Sequence, residues 1–422
     1  SDKLSRSMLR DYLRHAARFP TAAKLFLAGE FLGGIGQGTV WVLRNLYLKS
    51  LRFEEGFIGQ TLSVSALGMA LVAVPLSFFM DRGPLKGYLA GGALALAAGI
   101  SGVALWPAQT LVLAFSFVAG AGTGLLSVAG VPFYMRHSTP AERPYLFGAG
   151  TALGPASALT GAVLVWALSH AWGEATEGMR RMMLVSAGIS AAGALVFALL
   201  RESSPGHAKR DRLEVDVRTS FRLGLPVGII GLGAGLTIPF INLYFESRFG
   251  YGPRTVSAVF SVAQVVTIFA FLAAPLLARR FGGVRTIVAC QMLSIPFFLV
   301  MAFTGHPAFA IAAFLARHAL MNMSGPVNAQ FAMEVVPAHQ RAVTNGLREI
   351  SWNGTFLLGT SAGGWVIEKA RLFRDGYTTT MLATILLYVA GSAIFFGFWR
   401  RSAALKPASA LPTPVEPAET AP

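Results

Sequence analysis

The sequence predicts an all-helical membrane protein: twelve transmembrane helices in two pseudo-symmetric six-helix bundles. Three observations predict it. The 422 residues are 54% hydrophobic and only 13% charged, with a mean hydropathy of +0.57, where a soluble domain is about one quarter charged. Apolar runs of roughly 20 residues, the length that crosses a hydrocarbon core as helix, recur along the whole chain. A phrase also returns at half length: Asn45-Leu-Tyr-Leu-Lys-Ser50 reappears 197 positions later as Asn242-Leu-Tyr-Phe-Glu-Ser247.

Taken in order, residues 1–20 form a basic N-tail. Leu4, Met8, Tyr12 and Phe19 can share a side opposite Arg6, Arg10 and Arg14, so the tail is either a short amphipathic helix on the membrane surface or a solvated arm. Its polarity argues against a cleavable signal peptide. The first bundle covers 21–200, with spans at 22–48, 57–80, 87–106, 109–135, 144–169 and 181–200. A polar linker, 201–220, stands at the midpoint. The second bundle covers 221–400, with spans at 221–246, 255–278, 285–304, 307–334, 342–367 and 377–399. The tail 401–422 is Ala/Pro-rich and reads as disordered. The runs are too long and too uniformly apolar for an outer-membrane barrel.

Charge placement orients the chain. Of 35 Lys and Arg, 22 fall on the side of the N-tail, linker and C-tail, nine on the other side and four inside spans. Basic residues collect in cytoplasmic loops, so both termini are expected in the cytoplasm, with the chain in a plasma (bacterial inner) membrane. The net charge of +15 is therefore read as topology and not as nucleic-acid binding. The expected partners are the lipid bilayer and a small-molecule substrate, and the chain is expected to act as a monomer. The single cysteine, Cys290, excludes an internal disulfide.

The repeat extends beyond one phrase. Pro140 in STPAER matches Pro337 in VVPAHQR at the same offset, each closing the fourth span of its half and each followed by Arg (Arg143, Arg341). Two six-helix halves in parallel repeat place a site between them near the midplane.

Six plus six spans, a polar central loop and a basic turn after span two resemble the major facilitator superfamily over residues 20 to 400. The family's signature in that turn, G-x-L-a-D-R-x-G-R-K, corresponds to SFFMDRGPLK, Ser77 to Lys86. Asp81, Arg82 and Lys86 match; Ser77, Pro84 and Leu85 depart. The second-half counterpart, ARRFGGVR, keeps Arg279 and Arg280 but has Ala278 where an acid could sit. The resemblance implies a cytoplasmic gate at these residues. Glu334 falls at a span end and is expected to be a further gate or interface charge. A drug-exporter signature in span five, G-x-x-x-G-P-x-x-G-G, is matched at Gly150, Gly154 and Pro155, whereas Ala158 and Leu159 replace the closing glycines. The exporters' span-four arginine is absent, with Ser116 in its place.

Charges inside spans cost from about 2.5 kcal/mol upward and mark function or structural pairing. On span one, Glu30, Gly34, Gln37, Trp41 and Arg44 share a side, with Asn45 at its margin. Glu30 is expected to be a protonatable coupling group and Arg44 a substrate anchor or outer gate. A salt bridge to another helix is the structural alternative for each, and Glu30 with Arg348 is one possible pairing. The resemblance implies that spans one, four, seven and ten line the cavity. The remaining cavity candidates are Asn242, Tyr244, Arg317, Asn328 and Trp352. Arg317 could bind an anionic group or pair with an acid.

The seven histidines show no metal-ligand spacing. No phosphate-binding loop and no Gly-x-Ser-x-Gly elbow occurs. No catalytic residue, metal or cofactor is therefore expected, and a proton gradient is the expected energy source. The sequence points to alternating-access transport, first of all proton-coupled export of a small amphipathic or hydrophobic compound. Organic-anion uptake or lipid flipping is the alternative within this fold. A membrane-embedded enzyme or receptor finds no supporting constellation.

Overall fold

A computed structural model of the chain describes residues 19–79, 85–136, 138, 142–201, 216–337, 340–369 and 375–400. Most of the N-tail, the linker core and the C-tail lie outside them. The first half contains α1 (Thr21–Ser50), α2 (Glu55–Phe79), α3 (Leu85–Leu105), α4 (Gln109–Arg136), α5 (Arg143–Trp172) and α6 (Thr176–Ala198). The second half begins with α7, whose segments Val217–Thr237 and Ile241–Phe249 are joined by a 3-10 turn at Ile238–Phe240. It continues with α8 (Pro253–Phe281), α9 (Gly283–Phe303), α10 (Pro307–Val335), α11 (Arg341–Lys369) and α12 (Gly376–Trp399).

Local chemistry sets the ends. Pro253 and Pro307 occupy first helical positions, where a missing N–H is harmless. Gly250, at φ 67°, closes α7 in a left-handed conformation that a side chain would strain. Asp216 caps α7 by accepting the N–H groups of Arg218 and Thr219 at 3.0 and 3.1 Å. Asp375 caps α12 through the Thr378 N–H at 2.6 Å. Burial raises the Asp375 carboxyl, but the Thr378 N–H and the Arg248 guanidinium outweigh it and hold it below the usual carboxylate range.

Among the described residues, nine helices are long and apolar enough to cross a membrane. The three that fall short are α1, α10 and α11. They carry Glu30 and Arg44, Arg317, and Arg348 with Glu349. Low hydropathy thus marks the helices that hold buried polarity, not helices outside the membrane.

Both halves pack alike. In the first, α1 lies against α5 and α6, and α3 against α4 and α6. In the second, α7 lies against α11 and α12, and α9 against α10 and α12. Absent side chains permit the closest crossings. A Cβ on Gly161 would lie 2.6 Å from the Ile35 carbonyl of α1, and one on Gly359 would lie 2.2 Å from the Leu232 carbonyl of α7.

The apolar cores show how the halves meet. One large core, containing Leu43, Leu46, Tyr244 and Phe245, joins both halves where α1 and α7 finish. Toward the start of those helices there are two separate cores. Phe26, Phe133 and Phe197 anchor the first-half core, and Leu223, Phe331 and Trp399 the second-half core. The halves are therefore fused at one end and parted at the other. We call these the closed end and the open end.

Candidate functional site

The repeated phrase forms the seam at the closed end. Asn45 Nδ2 of α1 donates to the Pro239 carbonyl of α7 at 2.6 Å, and Asn242 Nδ2 of α7 donates to the Val42 carbonyl of α1 at 3.0 Å. Asn45 Nδ2 also lies 3.3 Å from Asn242 Oδ1. Donors and acceptors both obey the 197-residue offset, so the bonds are reciprocal about a pseudo-two-fold axis. Asn45 is 4% and Asn242 2% exposed. The 3-10 turn presents the Pro239 carbonyl to Asn45.

The two tyrosines of the phrase do equivalent work. Tyr47 donates to the Ala104 carbonyl at 2.9 Å and Tyr244 to the Met301 carbonyl at 2.7 Å. Each carbonyl belongs to the last turn of the third helix of its half, where acceptors lack helical partners.

Further contacts close the seam. Gly56 N–H donates to Glu368 at 3.1 Å, Ser63 to the Leu357 carbonyl at 3.1 Å, and Ser361 to Ser63 at 2.7 Å. Arg254 reaches Glu174 at 3.5 Å and the Ser169 carbonyl at 3.1 Å.

Beneath this seam lies a cavity of about 180 Å³. α1 supplies Gln37, Trp41, Arg44 and Asn45; α2 supplies Ser65 and Met69; α4 supplies Thr123. The second half supplies Pro239, Asn353 and Phe356. Thr123 Oγ1 lies 3.5 Å from Gln37 Oε1. Among the described residues the Arg44 guanidinium makes no hydrogen bond and no ion pair. A second lobe of about 330 Å³ shares Gln37 and Trp41 and runs between α1, α5 and α8, past Gly154, Ser157, Ala158, Phe260 and Gln264. Trp41, 44% exposed, stands between the lobes. One lobe offers a guanidinium and amides; the other is mostly apolar.

Glu30 lies about 21 Å before Arg44 along the helix axis, at 1.5 Å per residue. It accepts a 2.6 Å hydrogen bond from Tyr134 of α4. No cation pairs with Glu30 among the described residues. Tyr134 comes this close because α5 has Gly150 opposite it: a Cβ there would sit 2.1 Å from the Tyr134 oxygen.

Several expected positions lie elsewhere. Arg317 turns away from the cavity. It is 4% exposed, donates to the Tyr388 hydroxyl at 2.9 Å and stacks over Phe298 at 4.6 Å. Aromatic partners on α12 and α9 take up its planar charge. Tyr244 is fully buried in the shared core. Asn242 belongs to the seam and not to the cavity lining. Asn328 accepts from Arg348 at 3.0 Å, and Arg348 also reaches Asn345 at 3.2 Å, so no Glu30–Arg348 bridge forms. Trp352 stacks on Phe356 at 6.0 Å, while Phe356 and Asn353 line the cavity. Asn353, Phe356 and Thr123 were not singled out from sequence. Asn353 and Phe356 fall within a turn of Trp352 on α11.

Of the expected gate, Asp81 and Arg82 lie outside the described residues. Lys86 is exposed at the start of α3, as are Arg279 and Arg280 in the last turn of α8, where Arg280 lies over Phe281 at 5.3 Å. Glu334 accepts from Gln330 of its own helix at 2.7 Å, and no partner from the other half reaches it among the described residues.

A search among curated proteins finds no match to the sequence. Solved structures are similar in fold. A bacterial homologue of the human lysosomal transporter Spinster, in an inward-facing and occupied conformation, aligns with a TM-score of 0.75 at 14% identity, covering 90% of this chain and 96% of that one. A variant of the nucleoside transporter NupG aligns at 0.72 and 16% identity, covering 90% and 100%. A bacterial homologue of the iron transporter ferroportin, also inward-facing, aligns at 0.66 and 15%, covering 89% and 98%. At these identities the likeness shows the fold alone. The sequence profile of the Major Facilitator Superfamily matches twice, over residues 26–229 and 223–420. With that double match, the six-plus-six helices and the cleft between them, the chain is an integral membrane transporter of the Major Facilitator Superfamily.

Proposed function

We propose that this transporter moves a small amphipathic organic anion by alternating access, coupled to protonation of Glu30. The observation that carries this reading is the Arg44 guanidinium, which faces the central cavity without a counter-charge among the described residues. A bare charge within a membrane span is costly, and an anion entering the cavity would neutralise it. Gln37 and Asn353 add polar contacts, and the Trp41-bounded second lobe suits an apolar body.

Glu30 supports coupling to protons because its partner among the described residues is the neutral hydroxyl of Tyr134 and not a cation. With the basic-loop orientation, the open end is cytoplasmic and the conformation inward-facing. Export is the direction we favour, on the partial span-five signature at Gly150, Gly154 and Pro155; the inner membrane of a bacterium is the favoured location. Uptake of the same anion is the second reading, favoured by the same Arg44. An iron cargo, as in the ferroportin homologue, is not favoured: among the described residues no group of three His, Cys, Asp or Glu could hold a metal ion.

The test is ligand binding followed by flux. Naphthalene-2-sulfonate should raise the thermal stability of the purified protein, and its neutral isostere 2-naphthylmethanol should not. In proteoliposomes an imposed pH gradient should drive sulfonate flux, and the sign of that response separates export from uptake. Equal stabilisation by the two compounds would remove the anion reading.

A further inference from the structure

The Asn45–Asn242 seam and the cavity are not separate structures. Asn45 and Pro239 belong to both: they form the shortest bond of the clasp, 2.6 Å, and they line the lobe that contains Arg44. The Asn45 amide has two N–H groups. In the closed seam they face the Pro239 carbonyl at 2.6 Å and Asn242 Oδ1 at 3.3 Å. Arg44, the neighbouring residue, is where an anion would settle. A sulfonate or carboxylate there would present oxygen acceptors beside this amide, and a charged acceptor forms the stronger hydrogen bond.

We propose that Asn45 is the positioning residue that links anion binding to opening of the closed end. The anion competes with the Pro239 carbonyl for the Asn45 amide, which loosens the reciprocal clasp between α1 and α7. This rests on the anion reading above. A ligand shifts a conformational equilibrium only by its differential affinity for the two states. Here the difference is one donor: committed to Pro239 while the seam is shut, free for the anion once it parts. Asn242 has no such double duty. It accepts the Leu243 N–H at 2.9 Å, donates to Val42, and stays outside the cavity lining.

The experiment measures the width of the closed end directly. Gln109 and His306 are exposed, lie at that end on opposite halves, and are themselves 197 residues apart. Spin labels on Gln109→Cys and His306→Cys, in a Cys290→Ser background in lipid nanodiscs, report it as a distance distribution. Without ligand, Asn242→Ala should raise the long-distance population about tenfold, the factor expected when the clasp loses one donor and one acceptor. Asn242→Ser, with a folding check by size exclusion, repeats this with a smaller perturbation. An unchanged distribution in both variants overturns the clasp, whatever the substrate.

Naphthalene-2-sulfonate should lengthen the distance in the parent protein. With Asn45→Ala, which removes a donor to the anion, binding should weaken about tenfold, and at saturating sulfonate the distance should no longer shift, because the seam is already loosened. Binding to the parent without lengthening overturns the link while leaving the anion reading intact. Failure to bind the parent overturns the anion reading and the link together; the ligand-free Asn242 variants still decide the clasp.

Discussion

At 197 positions beyond Glu30, Tyr134 and Arg44, the second half carries Val227, Phe331 and Ile241. The same helices at the same places hold a carboxylate, a phenol and a guanidinium in one half and three apolar side chains in the other. The clasp and the two capping tyrosines, by contrast, are kept in both. What the halves share is what joins and shapes them; what they do not share is what touches charge. Two-fold symmetry here belongs to the scaffold and the seam, while Glu30, Tyr134 and Arg44 stand on one side of it.

This comparison can be broken. The largest effect is expected at its most asymmetric residue. Arg44→Gln should cut sulfonate binding and transport by about 100-fold or more, since a buried charged contact removed from one partner costs several kcal/mol. A loss under threefold in a transport assay would move the chemistry elsewhere. Glu30→Gln comes next: flux should persist at about a tenth of its rate and lose its response to an imposed pH gradient. Tyr134→Phe installs the second half's own residue, and should slow proton-driven flux only a few-fold.

Symmetric positions should give smaller effects. Tyr47→Phe removes the side-chain donor of the Ala104 carbonyl and should destabilise by about 1 kcal/mol in a denaturation experiment. Tyr244→Phe should cost less, because Arg248 still donates to the Met301 carbonyl at 3.1 Å. A larger loss at Tyr244 than at Tyr47 would show that Arg248 does not support that cap. The smallest effect concerns Asp375. Its carboxyl lies below the usual range, so the stability it contributes is present above the unfolded value near pH 4 and is lost as pH falls through the lower folded value. Thermal stability should therefore decline on acidification below about pH 4, and Asp375→Asn should flatten that decline.

The fold was legible because membrane helices announce themselves by length and apolarity, and because the Asn-Leu-Tyr phrase survives in both halves. The twelve helices match the predicted spans to within a few residues at most ends. Side-chain direction was less legible. Arg317 and Arg44 look alike in sequence, each a lone arginine in an apolar run. Only packing distinguishes them: Phe298 and Tyr388 wait beside one, and a cavity beside the other. In sequence Tyr244 reads as a cavity aromatic, since the family resemblance implies that its helix lines the cavity. In the folded chain its hydroxyl is turned outward to the end of α9. The Glu30–Tyr134 contact was equally hidden, since it depends on the missing side chain of Gly150 on a third helix.

The acceptors of the clasp are main-chain carbonyls, of Val42 and Pro239. Side-chain substitution cannot delete them, so heritable variation reaches this latch chiefly through two codons, 45 and 242, and through the proline that shapes the turn. Altering Asn242, which lies outside the cavity lining, would change this seam without touching the guanidinium of Arg44. Seam and cavity are in this sense separately evolvable, even though they meet at the adjacent residues Arg44 and Asn45.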